Sequence, residues 1–433
     1  MKKNPISMEK YFTPGLKTKP GVHIGSQTHP LFHGIAKEQA YEGYYLGAAG
    51  EGDVAIVRNF EQTYIDYWKN LIGDHHIINL THTDPGAYLT QSILDDPKVI
   101  EDIKHHMDPK SRLHVFSPTR LEQKLADKLG IPLHGKPEIG ERFGTKSGTR
   151  RLAKKYGIPM APGFVCKSVR DVEKAFNELK KYFRGIVIKY DYSLGGYFSK
   201  RVETSNKIKI KELLDEIIGR KFREGKDTVV VEGWLKSKAT PCAHIEILEG
   251  QDPVICTGWQ QIVDVDGISR IGAGPLTLSD RAMKSFLSAV NKLAWALKDK
   301  GACGSFGPDF LITADDETQM PPDTAVLLEL NGRIPMTAIA FEIIQNVRGK
   351  IGSGFWAQHL TLKSPLTFEE LAEKLSKEGI LIQKKDKRAR GIVPFNTGLL
   401  PWKMLDLVVM ADTWDETVVV MRKAQQVLRA LDA

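Results

Sequence analysis

A chain of 433 residues, 42% hydrophobic and 26% charged, is too long for one core and too ordinary in composition to be disordered, fibrous or stapled by disulfides. No apolar run approaches the roughly 20 residues that span a bilayer, and residues 1–21 carry lysines and prolines but no apolar signal core, so the sequence reads as cytoplasmic with no membrane partner. The net charge of +8 suits an anionic substrate; with no RNP, zinc-finger or basic-helix pattern, nucleic acid is not an expected partner.

The first section, to about residue 135, alternates short strands over 53–58, 77–80 and 112–116 with helical spacing at Ile65, Trp68, Leu71 and Ile72. This predicts a small α/β unit with a partly parallel sheet. It has no G-x-G-x-x-G, so nothing marks a dinucleotide site. Ten of the twelve histidines lie here, including His75-His76, His105-His106 and His29-x-x-x-His33. Pro30 interrupts the last spacing and no glutamate completes an H-E-x-x-H pattern, so solvated or core histidines are expected rather than a metal site. Cys166, Cys242, Cys256 and Cys303 are widely spaced, which predicts buried thiols rather than disulfides or a zinc site.

A helix is predicted from Lys146, stopped by Gly157 and Pro159. The residues Gly140-Glu-Arg-Phe-Gly-Thr-Lys-Ser147 are not a P-loop: the second glycine is one place early, a threonine separates it from the lysine, and no strand leads in. Lys146 at a helix start is still a candidate phosphate contact. A helix over 171–183, opened by a Ser168-x-x-Asp171 resembling a capping box, leads to a strand over 185–190 that ends in Lys189. Asp191-Tyr-Ser-Leu-Gly-Gly-Tyr-Phe198 follows. Gly195 and Gly196 would let backbone N–H groups approach phosphate and Lys189 would supply fixed charge; the plainer account is a glycine hairpin with a snorkelling lysine. A strand over 228–232 ends at Glu232 and runs into Gly233-Trp234-Leu235, where a chain leaving a strand exposes backbone groups able to read an adenine edge. Strands over 243–248 and 254–265 precede a helix over 281–300 whose apolar stripe is core packing.

In the stretch 325–335, Ala-Val-Leu-Leu-Glu-Leu-Asn-Gly-Arg-Ile-Pro, the period of two along a strand puts Leu327, Glu329 and Asn331 on one face. If the upstream strand over 305–313 pairs with it, Asp309 joins them and three oxygen ligands converge, a set that suits Mg²⁺ sharing its remaining positions with water and phosphates. Arg333 would clamp an anion beside the metal. The alternative is a strand that merely ends at the surface.

Lys146 at a helix start, Lys189 with a glycine loop, Glu232 to Leu235 after a strand, Asp309, and then Glu329-x-Asn331-x-Arg333 form an ordered set that resembles the ATP-grasp superfamily of carboxylate-amine ligases. The resemblance covers roughly 144–335. It implies an α+β (α/β) ATP-grasp fold with an N-terminal pre-ATP-grasp α/β domain (1–138), an ATP-grasp domain (139–354) and a small C-terminal module (355–433). It also implies that Lys146, Lys189 and the loop of Gly195 and Gly196 bind ATP phosphates, that Glu232, Trp234 and Leu235 read adenine, and that Asp309, Glu329 and Asn331 hold Mg²⁺ or Mn²⁺. The twenty-residue step from Asp309 to Glu329 is longer than the superfamily's, and residues 236–242 just after the hinge hold no acid for a ribose contact, which leaves the ribose ligand open.

Gly144-Thr-Lys-Ser-Gly-Thr-Arg-Arg151 with Gly157-Ile-Pro159, the front section, and a tail from Gly391-Ile-Val-Pro394 into a helix capped by Thr413-x-x-Glu416 look similar to the pheganomycin-type peptide ligases. That likeness implies an ATP-dependent ligase that turns a carboxylate into an acyl phosphate and joins it to an amine, an amino acid or peptide, releasing ADP and phosphate; it leaves room for a homodimer. Arg333 and Lys189 would be catalytic. Arg270 is a candidate for the acceptor carboxylate, with a surface arginine at a strand end as the plainer account. The alternatives are a D-alanine:D-alanine ligase-like or carboxylase-like enzyme, or an ATP-binding regulatory or scaffold protein without turnover. The basic run Lys384-Lys-Asp-Lys-Arg-Ala-Arg390 reads as the solvated turn of a hairpin joining 379–382 to 391–393, or as a cap over the active-site cleft.

Overall fold

Short apolar strands separated by amphipathic helices build the N-terminal unit as the sequence suggests, and the computed structural model describes residues 12, 20–28, 38–73, 75–81, 87–192, 198–263, 270–315, 320–349 and 354–430. Strands β1 (Gly21–Ile24), β2 (Val54–Arg58), β3 (His76–Leu80) and β4 (Arg112–Val115) form a parallel sheet in the order β3-β2-β1-β4. The sheet is covered by α1 (Gln62–Ile72), α2 (Leu89–Asp95), α3 (Pro97–His106) and α4 (Arg120–Leu129). Crossover helices cover both faces of such a sheet, which is why β1 and β2 are buried at every position. Periodicity in the sequence gives no sign of β1, although it lies between β2 and β4.

Next come α5 (Pro137–Phe143) and α6 (Lys146–Tyr156). The Thr145 hydroxyl accepts from Gly148 N–H at 3.0 Å to cap α6, and Gly157 ends it in the left-handed region at φ 62°. A second, antiparallel sheet follows, ordered β5-β8-β6-β7: β5 (Gly163–Cys166), β6 (Gly185–Tyr190), β7 (Ser199–Glu203) and β8 (Val229–Gly233). It packs on α7 (Val169–Leu179) and α8 (Ile210–Ile218), whose Val172, Ala175, Phe176, Leu213, Leu214 and Ile217 are buried against it. Helix α7 starts two residues before the expected 171, because Ser168 is its N-cap and accepts from Asp171 N–H at 3.1 Å.

The third sheet is the largest. In the order β14-β13-β10-β11-β12-β15-β17-β16 it contains β10 (Pro241–Ile247), β11 (Val254–Val263), β12 (Arg270–Pro275), β13 (Gly304–Thr313), β14 (Ala325–Asn331), β15 (Gly354–Thr361), β16 (Gly391–Asn396) and β17 (Met404–Ala411), with β9 (Ser237–Ala239) on β13. Helices α9 (Asp280–Asp299), α10 (Met336–Arg348), α11 (Phe368–Lys377) and α12 (Trp414–Ala430) pack with it. Ser279 caps α9, and Met283, Phe286, Val290, Leu293, Ala294 and Leu297 are buried along its stripe, each contributing roughly 1.5–3 kcal/mol when a full-sized side chain is covered. Thr413 and Glu416 cap α12 reciprocally, as the tail sequence signals. All four cysteines are buried free thiols. No helix among the described residues is long and apolar enough to cross a membrane.

The hairpin expected around the basic run does not form. Ile382 N–H donates to Ile392 C=O at 2.9 Å and Ile392 N–H to Ile380 C=O at 2.7 Å, a parallel bridge, so the chain between must cross back rather than turn. The run instead rests on the far end of α10: Asp386 N–H donates to Val347 C=O at 3.0 Å, Arg348 Nε to Lys387 C=O at 3.3 Å, and Lys385 faces Glu51 at 3.7 Å. The 13 residues of α10 separate it from Arg333 by about 20 Å at 1.5 Å per residue.

Candidate active site

Strands β13 and β14 pair antiparallel with Asp309 opposite Glu329 and Gly307 opposite Asn331. The alternation read from sequence therefore brings Asp309, Glu329 and Asn331 together. Asn331 Nδ2 donates to Asp309 Oδ2 at 3.1 Å and to Gly307 C=O at 2.9 Å, and Asn331 Oδ1 accepts from Arg333 Nη2 at 2.9 Å. Gln261 Nε2, from β11, holds the other Asp309 oxygen. No sequence motif points to Gln261. Two carboxylates and an amide oxygen are the hard donors Mg²⁺ takes, so the residues fit that ion in chemistry, with the Asn331 amide nitrogen turned toward Asp309 here.

Both candidate lysines are already paired. Lys146 is buried and its Nζ meets Glu329 Oε2; Lys189 Nζ lies 2.7 Å from Glu232 Oε2, with Arg150 at 3.5 Å from the other oxygen. Burial works against the charge on Glu329, but Lys146, a hydrogen bond with Asp309 and the field of Lys189 pull its carboxyl down to about 2. The second sheet thus presents Lys189 and Glu232 toward the central sheet's Asp309 and Glu329. Asp191, which the sequence motifs also leave unmarked, fastens the two: its carboxylate accepts from Ser147 N–H at 2.6 Å and Ser147 Oγ at 3.0 Å at the N-terminus of α6. Gly195 and Gly196 lie outside the described residues.

The hinge differs from expectation. Gly233 N–H donates to Pro162 C=O and Trp234 N–H to Gly185 C=O, both at 2.9 Å, because β8 stays paired on both sides past Glu232. Glu232 is turned inward to Lys189, and the Trp234 ring carries the Arg201 guanidinium at 4.7 Å. The row of free backbone groups narrows to Leu235, whose N–H has no backbone partner among the described residues. Arg270 opens β12 opposite Val263.

Arg333 is held in place on three counts. Its guanidinium lies 4.6 Å from the centre of the Phe116 ring, Nη1 donates to Ile334 C=O at 3.2 Å, and Nη2 bonds Asn331. Gly332 before it must be glycine, since a Cβ there would lie 2.8 Å from Gly140 Cα in α5.

Along the same face of β13, four residues or about 13 Å from Asp309, a second polar group is buried at the junction with the N-terminal sheet. Glu246 accepts from His134 Nε2 at 3.0 Å, His244 Nε2 at 2.8 Å and the Ser305 hydroxyl. Burial opposes its charge, yet His134 and His244 hold its carboxyl well below the usual range. His114 stacks at 4.8 Å on His23 and lies tilted at 4.7 Å from His134, and burial drives its pKa well down. A pocket with room for about one water-sized group opens among Tyr45, His114, His134, Ser305, Gly332 and Arg333. No motif announces this cluster, because His134 and Ser305 lie 112 and 59 residues from Glu246 in the chain. Of the other histidines, His76 and His106 stack at 3.5 Å on the surface and share Asp102 with ligand atoms within 4.8 Å of one another, a closer grouping than sequence suggested.

No family model and no curated protein matches the chain. Solved structures do. The biotin carboxylase of Campylobacter jejuni, in complex with β-γ-ATP, superposes with a TM-score of 0.59 at 12% identity over 94% of this chain and 91% of its own. N5-carboxyaminoimidazole synthase from Aspergillus clavatus, with ADP and 5-aminoimidazole ribonucleotide, gives 0.55 at 12% identity over 95% and 98%. The biotin carboxylase domain of the Hydrogenobacter thermophilus 2-oxoglutarate carboxylase, with MgADP and bicarbonate, gives 0.54 at 14% identity over 94% and 89%. A parallel N-terminal sheet, a four-stranded antiparallel sheet and a large sheet that carries Asp309, Glu329 and Asn331 make up a fold that these structures match across nearly the whole length: the chain has the ATP-grasp fold.

Proposed function

We propose that this protein is an ATP-dependent ligase that converts a carboxylate to an acyl phosphate and joins it to an amine, an amino acid or a peptide, with release of ADP and phosphate. The observation that carries this reading is the convergence of Asp309, Glu329 and Asn331 with Arg333, Lys146 and Lys189 between two sheets. A scaffold that only bound nucleotide would need no such set of aligned oxygens. In this reading ATP lies between the second and central sheets, with Leu235 N–H at the adenine edge and Lys146 and Lys189 at the phosphates. Asp309, Glu329 and Asn331 hold Mg²⁺, which supplies charge neutralisation at the phosphoryl group. Arg333, packed on Phe116, brings a fixed guanidinium charge to the acyl phosphate and to the negative oxygen of its adduct.

The test is ADP release screened over a grid of amino acids and short peptides with Mg²⁺. Release that needs both a carboxylate and an amine supports the ligase; none with any pair refutes it. A second reading is favoured by the bicarbonate held together with MgADP in the Hydrogenobacter thermophilus neighbour: the acid activated is bicarbonate and the product a carbamate. Incorporation of labelled bicarbonate, with ADP release independent of added carboxylic acids, would select it.

A further inference from the structure

We propose that the pocket between the N-terminal and central sheets receives the amino group of the amine substrate, and that His134, oriented by Glu246, takes the proton released as the amide forms. This rests on the ligase reading above and assigns a subsite within it. With its Nε2–H committed to the Glu246 carboxylate, the other ring nitrogen of His134, Nδ1, is the one with a free lone pair. That atom has no partner among the described residues, although His134 is only 7% exposed. The hydroxyl of Tyr45, 1% exposed, is unpartnered in the same way. Buried polar atoms are almost always satisfied, and here two orphans border one pocket.

The chemistry of the lining selects the occupant. In the neutral ring Nδ1 has no hydrogen to give, and a carboxylate stands behind the ring, so an anion is disfavoured there. A neutral or protonated amine nitrogen is the size of a water molecule and donates to both Nδ1 and a phenol oxygen. Burial pushes the Tyr45 hydroxyl well above its ordinary pKa, so it stays a phenol, and His114, facing the pocket from the β4 side, is kept neutral by the same burial. Lys136 and Arg333 are the charged groups that line the remaining sides. Arg333 is also the residue that reaches Asn331, so an amine in the pocket lies on the Arg333 side where the acyl phosphate is expected.

In this step the free amine's lone pair forms the C–N bond, the C–O bond to phosphate breaks, and phosphate leaves with that electron pair. The surplus proton on nitrogen passes to Nδ1 of His134, whose imidazolium is stabilised by Glu246 until the proton is lost to solvent. Glu246 is a positioning residue, as is His244 on its other oxygen.

The experiment compares two nucleophiles on the full chain with ATP, Mg²⁺ and the carboxylate found by the ADP screen: the substrate amine, and hydroxylamine, which attacks acyl phosphates without a base. His134→Gln is expected to lower amide formation by about 100-fold or more, the usual worth of a general base, while hydroxamate formation stays within about threefold of wild type. Equal loss with both nucleophiles, or undiminished amide formation, overturns the assignment. If His134→Gln does not fold, Glu246→Gln carries the same comparison, with amide formation expected about tenfold down and hydroxamate formation unchanged; a matched fall in both, or no fall, overturns it. Wild type that yields no hydroxamate from any carboxylate refutes the acyl-phosphate reading itself, an outcome distinct from failure of the subsite.

Discussion

Glu329→Gln separates the roles of one side chain. At neutral pH the substitution removes a carboxylate that Lys146 and Lys189 hold at about 2 against an ordinary 4.5, a difference worth about 3 kcal/mol of native stability. The glutamine keeps an oxygen for Lys146 Nζ, so that figure is an upper bound and the expected shift in melting temperature is a few degrees. The carboxyl is lowered on folding, so its stabilisation is full above about 4.5 and is lost as pH falls through about 2. By pH 3 less than about half remains, and wild type and variant should draw together. Loss of a ligand that acts on the phosphoryl group should meanwhile cut Mg²⁺-dependent ADP release by at least about 100-fold. Melting curves at pH 7 and pH 3 with ADP release over a Mg²⁺ titration are the measurements. Turnover within twofold of wild type would refute the metal-ligand assignment, and a stability gap of equal size at both pH values would refute the electrostatic account.

Arg333→Lys keeps the charge but loses the planar fork and the bond to Asn331, so kcat/KM should fall about 100-fold with a stability change near 1 kcal/mol; comparable turnover would remove Arg333 from the chemistry. Neutralising Lys385, Lys387 and Arg388 together should leave the acceptor KM within twofold at physiological salt, because the run sits beyond α10 and more than two Debye lengths of ~8 Å from Arg333; a rise in KM would restore the cleft-cap idea. Trp68→Ala should cost about 3–5 kcal/mol in denaturant unfolding, since the ring is fully buried and edge-on to Tyr64 and Tyr67; a loss under 1 kcal/mol would mean that the N-terminal core collapses around the gap.

What was legible in the sequence was whatever depends on local periodicity. Alternation puts Glu329 and Asn331 on one face of β14 and brings Asp309 to them once β13 pairs with it, and Gly157 with Pro159 marks the end of the helix that Lys146 begins. The four-residue β1 was not legible, because it is too short to show a period and its burial comes from crossover helices far along the chain. Nor was the bond from Trp234 N–H to Gly185, which turns an apparently open hinge into a continued strand. The Glu246 cluster joins residues 112 and 59 positions apart, and the direction of the 379–382 segment depends on where 391–396 is drawn by β17. Such long-range pairings are set by tertiary packing, which single-sequence patterns do not carry.

The two lysine–carboxylate pairs mean that the cleft rests as a self-neutralised charge lattice rather than as an open basic trap. On the proposed function, an arriving triphosphate would draw Lys146 away from Glu329 and Lys189 away from Glu232, which takes the lysine from Glu329 and leaves Arg150 as the cation beside Glu232. A divalent cation arriving alone faces the mirror problem, since taking Glu329 strands a buried ammonium. Each ligand supplies the counter-charge that the other displaces. On that function nucleotide and metal should therefore load together, each tightening the other's dissociation constant by the same factor, and a nucleotide-only crystal soak should leave the two lysine–carboxylate pairs in place.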